Sequence, residues 1–460
     1  MSANPLPPGS LSLFESLHAV RDQHYYLKQA ARYGPVFKMA QYHQKVICVV
    51  GLERAQQLLR ERDDALGPSP LPFTRQIAGG FLRYMDRSTY QQYGNLFRKA
   101  LGKKVVDAAA PVTMQTARDE FTKMAVACLQ TREHAVHPAP FLERITHDAF
   151  LRALFGIAPD CKAYTEFNSL YHGLHSWRIG RPLSSQVQHA RHALTAFLRR
   201  HSFELNAHSQ NGSETRCALT ALTRLDANMP DVVCFDNLIF TLKISISNVV
   251  GLLRWLLVHL GENPDWMERL CMELNSDAAT LFDLMDRIIM ETLRLSQSEY
   301  LYRKVTRDFE YGGWSFPKGW FVRICVWESH RDPAIFDTPE QFNPDRFLTR
   351  SFSPAQYSPF GFSKHACNGV ALTYMIGRSV LQTLAQGFDW RVVAPGGMTR
   401  DFRHWEALDT ITPAKEASAV SDKKAGNYPA LFYRALTEDG TRSNYIGFVS
   451  FEIPPGYSMV

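Results

Sequence analysis

One cysteine is placed where its sulfur could bind a metal. Cys367 follows a small-residue loop and precedes an apolar run with helical spacing that starts at Val370. This puts the sulfur at a helix N-terminus, where backbone N–H groups and the helix dipole favour the thiolate. Such a thiolate is a strong axial ligand for haem iron, because it donates electron density to the metal. Taken alone, a cysteine at a helix start is more often a buried structural residue than a ligand.

Three other segments bear on that choice. Glu291 and Arg294, three residues apart, share a helix face and can pair; alone, such a pair is worth under ~1 kcal/mol. A Pro-Asp-Arg-Phe element containing Arg346 follows about fifty residues later. Between them, alternating residues with Gly-Gly and Pro-Lys-Gly turns predict a β-hairpin over 303–319, led by Arg303.

In this order and spacing, the segments resemble those of the cytochrome P450 family, over roughly residues 5–391. The resemblance implies a mainly α fold with small β-sheets, the cytochrome P450 fold, as one domain over residues 1–460. It also implies haem b (iron protoporphyrin IX), with Cys367 as the iron ligand. Glu291, Arg294 and Arg346 would form a structural triad that supports folding and haem retention.

The resemblance also implies further haem contacts. Phe360 would pack on the sulfur side of the ring, and Gly361 and Gly369 would let the backbone approach it closely. Propionate contacts are expected from His365, from Arg303 at the start of the hairpin, and from Arg98 on a helix over 89–101. For Arg98 the pattern is incomplete, because Gly94 stands where the family usually has His or Trp.

The sequence departs from the family in the helix expected to cross the distal haem face, over 237–260. Counting back from Trp255, the family's acid–alcohol pair falls on Ser247 and Asn248. A register shifted by one residue would bring Ser245 or Ser247 near the iron instead. In the family this pair relays protons to bound dioxygen. A serine is no carboxylate-like proton source, and an amide is no acid near neutral pH. A substrate hydroxyl or an ordered water could take over the role.

Three functional hypotheses follow from the resemblance. The first is O2-dependent monooxygenation that tailors a hydrophobic small molecule in secondary metabolism. The second is O2-independent haem-thiolate chemistry, with Asn248 orienting the bound heteroatom: N–O or O–O bond activation, nitrene transfer, rearrangement or dehydration. The third is a non-catalytic haem-binding homologue. The first is favoured, and the third is disfavoured because the ligand and triad residues are all present.

Composition is consistent with an intracellular enzyme. The 460 residues are 45% hydrophobic, enough for a large core. Eight scattered cysteines without a Cys-x-x-Cys motif predict free thiols rather than a disulfide framework or a zinc site. The net charge is +6, and the sequence contains no block of Lys and Arg residues, so no nucleic acid partner is expected.

The N-terminal segment is polar and Pro-rich, and the apolar run over 249–260 is too short to span a bilayer, so no membrane association is expected. The resemblance then implies a soluble, bacterial-type, cytoplasmic enzyme, whose redox partner would be a ferredoxin or flavodoxin with its reductase. Either protein could dock on basic residues of the proximal side, which are equally well explained as solvated charges: Arg98, Lys99, Lys103, Lys104 and Lys364.

Pocket walls are expected from three segments: the loop over 70–81, the helix over 244–248, and residues 299–302, where Glu299 could bind a substrate amine or pair with an arginine.

Overall fold

A computed structural model describes most of the chain. The residues described are 4–41, 44–68, 82, 85, 87–130, 135–174, 184–209, 217–274, 278–296, 301–362, 366–393, 398–400, 405–407, 410–413 and 432–433. The loop over 70–81, Glu299, the segment 363–365 with Lys364 and His365, and most of the C-terminal tail lie outside them.

Helices dominate the described part, which confirms the predicted mainly α architecture. They are α1 (Leu13–Arg21), α2 (Tyr25–Tyr33), α3 (Leu52–Glu61), α4 (Arg87–Ala100), α5 (Lys103–Gln130), α6 (Ala139–Phe155), α7 (Lys162–His172), α8 (Ser185–Ser209), α9 (Ala218–Leu225), α10 (Asp231–Glu262), α11 (Pro264–Glu273), α12 (Ala278–Leu295), α13 (Val326–Ser329), α14 (Arg346–Thr349) and α15 (Val370–Gly387).

The strands form small sheets. They are β1 (Gly9–Ser10), β2 (Val36–Gln41), β3 (Gln44–Val50), β4 (Leu66–Pro68), β5 (Leu301–Val305), β6 (Phe309–Tyr311), β7 (Trp314–Phe316), β8 (Phe321–Cys325), β9 (Phe388–Val393), β10 (Met398–Arg400), β11 (Trp405–Ala407), β12 (Thr410–Pro413) and β13 (Phe432–Tyr433). Six of them make one sheet in the order β1-β2-β3-β8-β5-β4, and β9 pairs with β12 and β13.

The predicted hairpin over 303–319 needs correction, because the chain forms two nested pairings there. The inner pair is β6–β7, closed by Gly312 and Gly313 at φ 58° and 81°, which only glycine adopts readily. The outer pair is β5 with β8, in which Arg303 stands opposite Val322. Arg303 therefore belongs to the large sheet rather than to the small hairpin.

The central helix α10 begins six residues earlier than predicted and crosses the largest hydrophobic cluster. Its length and apolar composition would let it cross a membrane, but 61% of its most apolar window is buried inside the molecule. Packing within the core thus accounts for its apolar character.

Helices α12 and α15 approach each other closely at one glycine. A Cβ atom added to Gly377 would lie 2.8 Å from Cδ1 and 3.2 Å from Cγ1 of Ile289. A larger residue would force this side chain to move, so the absence of a Cβ sets the separation of the two helices. Because α15 starts just after Cys367 and α12 carries Glu291 and Arg294, this contact joins two parts of the candidate site.

Candidate functional site

The sulfur of Cys367 lies at the N-terminal end of α15, as the sequence suggested. Gly369 is the N-cap of that helix, and its backbone N–H donates to the Cys367 Sγ at 3.3 Å. The Cys367 N–H in turn donates to the Phe360 carbonyl at 3.0 Å, which closes the loop. A hydrogen bond donated to sulfur and the positive end of the helix dipole both stabilise a thiolate.

Exposure separates Cys367 from the other cysteines. All eight are free, and Cys367 alone is exposed; six are buried and Cys161 is half-buried. The seven others behave as small apolar residues of the interior. Cys367 therefore combines an accessible sulfur with thiolate-stabilising surroundings, as a metal ligand requires.

The residues around this loop are placed as follows. Phe360 is half-buried and its ring lies 5.9 Å from that of Tyr374 on α15. Gly361 has φ 71°, a left-handed conformation that favours glycine. Gly369 shows no such requirement, because an added Cβ would meet the Cys367 sulfur at an ordinary 3.7 Å. His365 lies outside the described residues, and its propionate contact stays a prediction.

Glu291, Arg294 and Arg346 meet in the interior. The Glu291 carboxylate accepts from Arg294 Nε at 2.8 Å and Nη2 at 2.9 Å, and from Arg346 Nε at 3.0 Å and 3.1 Å. It also accepts the Asn343 backbone N–H at 2.8 Å. The side chain of Glu291 has no exposed area, and Arg294 and Arg346 are buried as well.

The remaining guanidinium donors of this cluster bind backbone carbonyls. Arg294 donates to His330 O at 3.0 Å and to Pro339 O at 2.7 Å, and Arg346 donates to Asp337 O at 2.8 Å. Buried charges are tolerable only when such partners compensate for lost hydration. The network therefore ties α12 to the irregular segment over 330–346, and its role in retaining haem stays a prediction.

His330 connects this network to the segment over 358–367 that ends at Cys367, here called the cysteine loop. Sequence reasoning missed this role. The Ser358 backbone N–H donates to His330 Nε2 at 3.0 Å, so this nitrogen is the acceptor of a neutral ring. Burial, followed by the charges of Arg294 and Arg331, lowers the pKa of His330 to about 3. The residues next to His330 give no sign of this bond, because Ser358 lies 28 residues further along the chain.

The two predicted propionate arginines differ in their surroundings. Arg303 is buried on β5 and its Nη1 donates to the Tyr302 carbonyl at 3.0 Å. Arg98 lies at the exposed surface of α4 and donates to Asn95 Oδ1 at 3.0 Å. Gly94, one turn earlier, is buried, and an added Cβ would contact the Tyr90 ring at 3.4 Å. A large residue at position 94 would thus displace Tyr90.

The middle of α10 differs from the rest of the helix. Leu242, Val249 and Val250 are buried, whereas every residue over 243–248 keeps part of its surface exposed. Ser247 is exposed. Asn248 is half-buried, and its Oδ1 atom is buried with no donor within reach among the described residues. An unsatisfied buried amide oxygen favours a bound donor from outside the chain.

Comparisons with known proteins agree with these observations. The sequence model of the family described as "Cytochrome P450" matches residues 251–418. The chain is 25% identical over 423 residues to the protein named "Putative cytochrome P450 120" of Synechocystis sp., covering 86% of this chain and 93% of that protein. It is 24% identical over 417 residues to abscisic acid 8'-hydroxylase 1 of Arabidopsis thaliana, covering 85% and 86%.

A solved structure supports the fold as well. Cyanobacterial CYP120A1 with bound retinoic acid superposes with a TM-score of 0.70 at 22% identity, covering 89% of this chain and 99% of that one. The family match includes Cys367, Glu291, Arg294, Arg303 and Arg346. It begins after Ser247 and Asn248, so it does not test their register.

Proposed function

We propose that this chain is a haem-thiolate monooxygenase of the cytochrome P450 family that acts on a hydrophobic small molecule of secondary metabolism. Its similarity to the family model and to members of the family supports the proposal. One observation carries the proposal: the accessible sulfur of Cys367 accepts an N–H at the start of α15. When bound there, thiolate-ligated haem supplies the O–O bond cleavage that monooxygenation needs.

The residues of the chain suit haem b. Cys367 would bind the iron, with Phe360, Gly361 and Gly369 beside the ring. Arg303, Arg98 and His365 would hold the propionates. Arg303 supports this best, because it lies within the family match and its guanidinium can donate two hydrogen bonds to one carboxylate.

Protons in this reaction would not come from an acidic side chain in the 243–248 segment of α10. Between residues 243 and 248 the chain has no carboxylic acid. Asn248 can accept a hydrogen bond at Oδ1 and donate from its amide nitrogen, so it can orient a water or a substrate hydroxyl. Ser247, which is exposed, can relay a proton from such a water without supplying it.

The wider setting follows from the same proposal. The enzyme would act in the cytoplasm as a single domain over residues 1–460 and take electrons from a ferredoxin or flavodoxin with its reductase. Lys99 and Lys104 are exposed, basic and close in sequence to Arg98, which suits an acidic partner. Because one relative is named for abscisic acid, we include an organic acid among the candidate substrates.

The second candidate is O2-independent haem-thiolate chemistry. The lack of a carboxylic acid over residues 243–248 favours it, because this chemistry needs no proton source there. Activation of an N–O or O–O bond already present in the substrate, nitrene transfer, rearrangement and dehydration require no proton delivery to O2. In these reactions Asn248 would orient the heteroatom of the substrate.

A turnover experiment distinguishes the two. The holoenzyme is incubated with a panel of hydrophobic acids and alcohols, with or without O2, and with or without NADPH, ferredoxin and ferredoxin reductase. We expect product only when O2 and the complete electron supply are present. Product formed anaerobically without reductant, for instance from an organic hydroperoxide, would instead establish the second candidate.

A further inference from the structure

An open cleft of about 1300 Å³ lies between α3, the β6–β7 hairpin and the irregular segments over 332–335 and 353–356. One side of α3 forms a wall of it through Glu53, Gln57 and Glu61, which follow one another at a spacing of four residues. The cleft exceeds the usual range for a small-molecule site, about 300–1000 Å³, so an elongated ligand suits it better than a compact one.

Aromatic rings form a second wall of the cleft. Tyr311 and Trp314 of the β6–β7 hairpin and Tyr33 at the end of α2 line it, and all three are half-buried. Burial raises the pKa of the Tyr311 hydroxyl, and the Glu61 carboxylate raises it further, so this carboxylate and the Tyr311 ring belong to the same end of the cleft. The face of an aromatic ring attracts a cation that approaches within about 6 Å.

Negative charge predominates along the cleft. Its lining includes four carboxylates, those of Glu53, Glu61, Glu310 and Asp332, against two guanidinium groups. Glu310 is already engaged, because its two carboxylate oxygens accept from the backbone N–H of Asn4 at 3.0 Å and from the Asn4 side chain at 2.8 Å. The acids on α3 therefore matter most for a ligand.

The two arginines of the cleft do not neutralise those acids. Arg54 Nη1 donates to a backbone carbonyl four residues earlier at 2.9 Å, and Arg62 donates to a backbone carbonyl of β6 from Nε at 3.2 Å and from Nη2 at 3.0 Å. Within the described part of the chain, neither forms an ion pair with Glu53 or Glu61. Glu61 Oε1 accepts from Gln57 at 2.8 Å, which leaves its second oxygen for a ligand.

We propose that this cleft binds a linear aliphatic polyamine, with one ammonium group at Glu53 and another at Glu61, where Tyr311 and Trp314 contact it. Eight residues separate the two acids, which corresponds to about 12 Å along the helix axis. An extended triamine such as spermidine places its terminal ammonium groups about that far apart. Each would then form a charge-assisted hydrogen bond with a carboxylate.

The same spacing argues against a metal ion as the ligand. Two carboxylates so far apart cannot coordinate one cation together. In the part of the chain that the structure describes, no group of three or more His, Cys, Asp or Glu side chains could hold a metal ion. Aromatic faces favour organic ammonium groups, which a polyamine supplies.

The test uses the holoenzyme and isothermal titration calorimetry with spermidine, and butylamine serves as the probe with a single charge. The variants are Glu53→Gln, Glu61→Gln, their combination, and Trp314→Leu. Glu268→Gln removes an exposed carboxylate on α11 and is the matched control. Thermal unfolding verifies that each variant is folded, and the Soret band shows whether an amine binds the iron instead.

We expect spermidine to bind more tightly than butylamine, and added salt to weaken it. Each single glutamine variant should weaken spermidine binding about two- to fivefold, as for the loss of an exposed ion pair. The double variant should weaken it about tenfold and approach the affinity for butylamine. Trp314→Leu should cost about two- to fivefold, as for a lost cation–π contact, and Glu268→Gln should match the wild type.

Three results would overturn the proposal: equal affinities for the two amines in the wild type, spermidine binding that is unchanged in the double variant, or a Soret shift that accounts for the binding. Because no turnover is measured, this proposal and the proposed function can fail separately. Spermidine binding that depends on Glu53 and Glu61 would stand even in a protein without monooxygenase activity.

Discussion

The imidazole of His330 accepts a hydrogen bond from the backbone N–H of Ser358 at 3.0 Å, which attaches the start of the cysteine loop to the buried ion network. The carbonyl oxygen of the same histidine accepts a hydrogen bond from Arg294 Nη1 at 3.0 Å. Protonation of Nε2 would remove the acceptor and add a positive charge beside Arg294 and Arg331. The contact therefore exists only with a neutral ring.

Stability should accordingly fall in mild acid. Burial lowers the pKa of both His330 and His259 to about 3, from an ordinary 6.5. The unfolded chain thus binds more protons than the folded one below pH 6.5, so the stabilisation is complete above that pH and is lost as pH falls toward 3. Each histidine contributes up to about 1.4 kcal/mol per pH unit.

Urea unfolding followed by circular dichroism between pH 7.5 and 4.5 measures this slope. His259→Gln should reduce the slope of stability against pH by about one proton, because it removes one titrating group. The Gln amide can still bond to Ser296, which lies 2.6 Å from His259 Nε2, so the variant keeps this contact. A slope that is the same in wild type and variant would show that His259 does not govern acid stability.

Cys367→Ser should abolish the thiolate-type Soret band of the ferrous-CO complex, because the axial sulfur is removed. Cys161→Ser is the matched control, since Cys161 is the one other cysteine that is not buried, and its Sγ lies 3.1 Å from the Ala158 carbonyl. Optical spectra of both variants test this. A thiolate band retained in Cys367→Ser would refute the ligand assignment.

Glu291→Ala should destabilise the protein by about 3–5 kcal/mol, because it leaves two buried guanidinium groups without their shared carboxylate. Glu166→Ala removes the exposed pair with Arg200 and should cost under about 1 kcal/mol. Chemical denaturation measures both, and haem content after gel filtration tests the retention role. Comparable losses in the two variants would contradict the importance of the buried network.

Asn248→Ala should reduce turnover while haem content is maintained, if Asn248 contacts the substrate or an ordered water. Ser247→Asp combined with Asn248→Thr restores the family's acid–alcohol pair and should increase the product formed per NADPH consumed under monooxygenase conditions. Product yield against NADPH oxidation measures this coupling. Unchanged coupling would indicate that protons reach the site by another route or that the register is wrong.

Much of this architecture was accessible from the sequence because local patterns specify it. Helical periodicity located α4 to within two residues and α10 to within six, and Gly312-Gly313 located the β6–β7 turn. Glu291 and Arg294 share a helix face, so their pairing followed from their spacing. Placing Arg346 on the same carboxylate required the family resemblance, because 55 residues separate it from Glu291.

What the sequence could not provide depends on long-range packing. The pairing of β5 with β8 skips over the β6–β7 hairpin, and a linear pattern does not distinguish nested from simple hairpins. Likewise, the His330–Ser358 bond and the cleft beside α3 arise from how distant segments meet. Side-chain type alone gave no indication of either.

Gly377 on α15 lies against Ile289 on α12, where the two helices approach each other closely. The cysteine ligand precedes one of the joined helices and the ion network occupies the other, and their separation depends on the missing Cβ. Gly377→Ala would require either the Ile289 side chain to move or the two helices to separate. Position 377 therefore links the helix that follows Cys367 to the helix that carries the buried ion pairs.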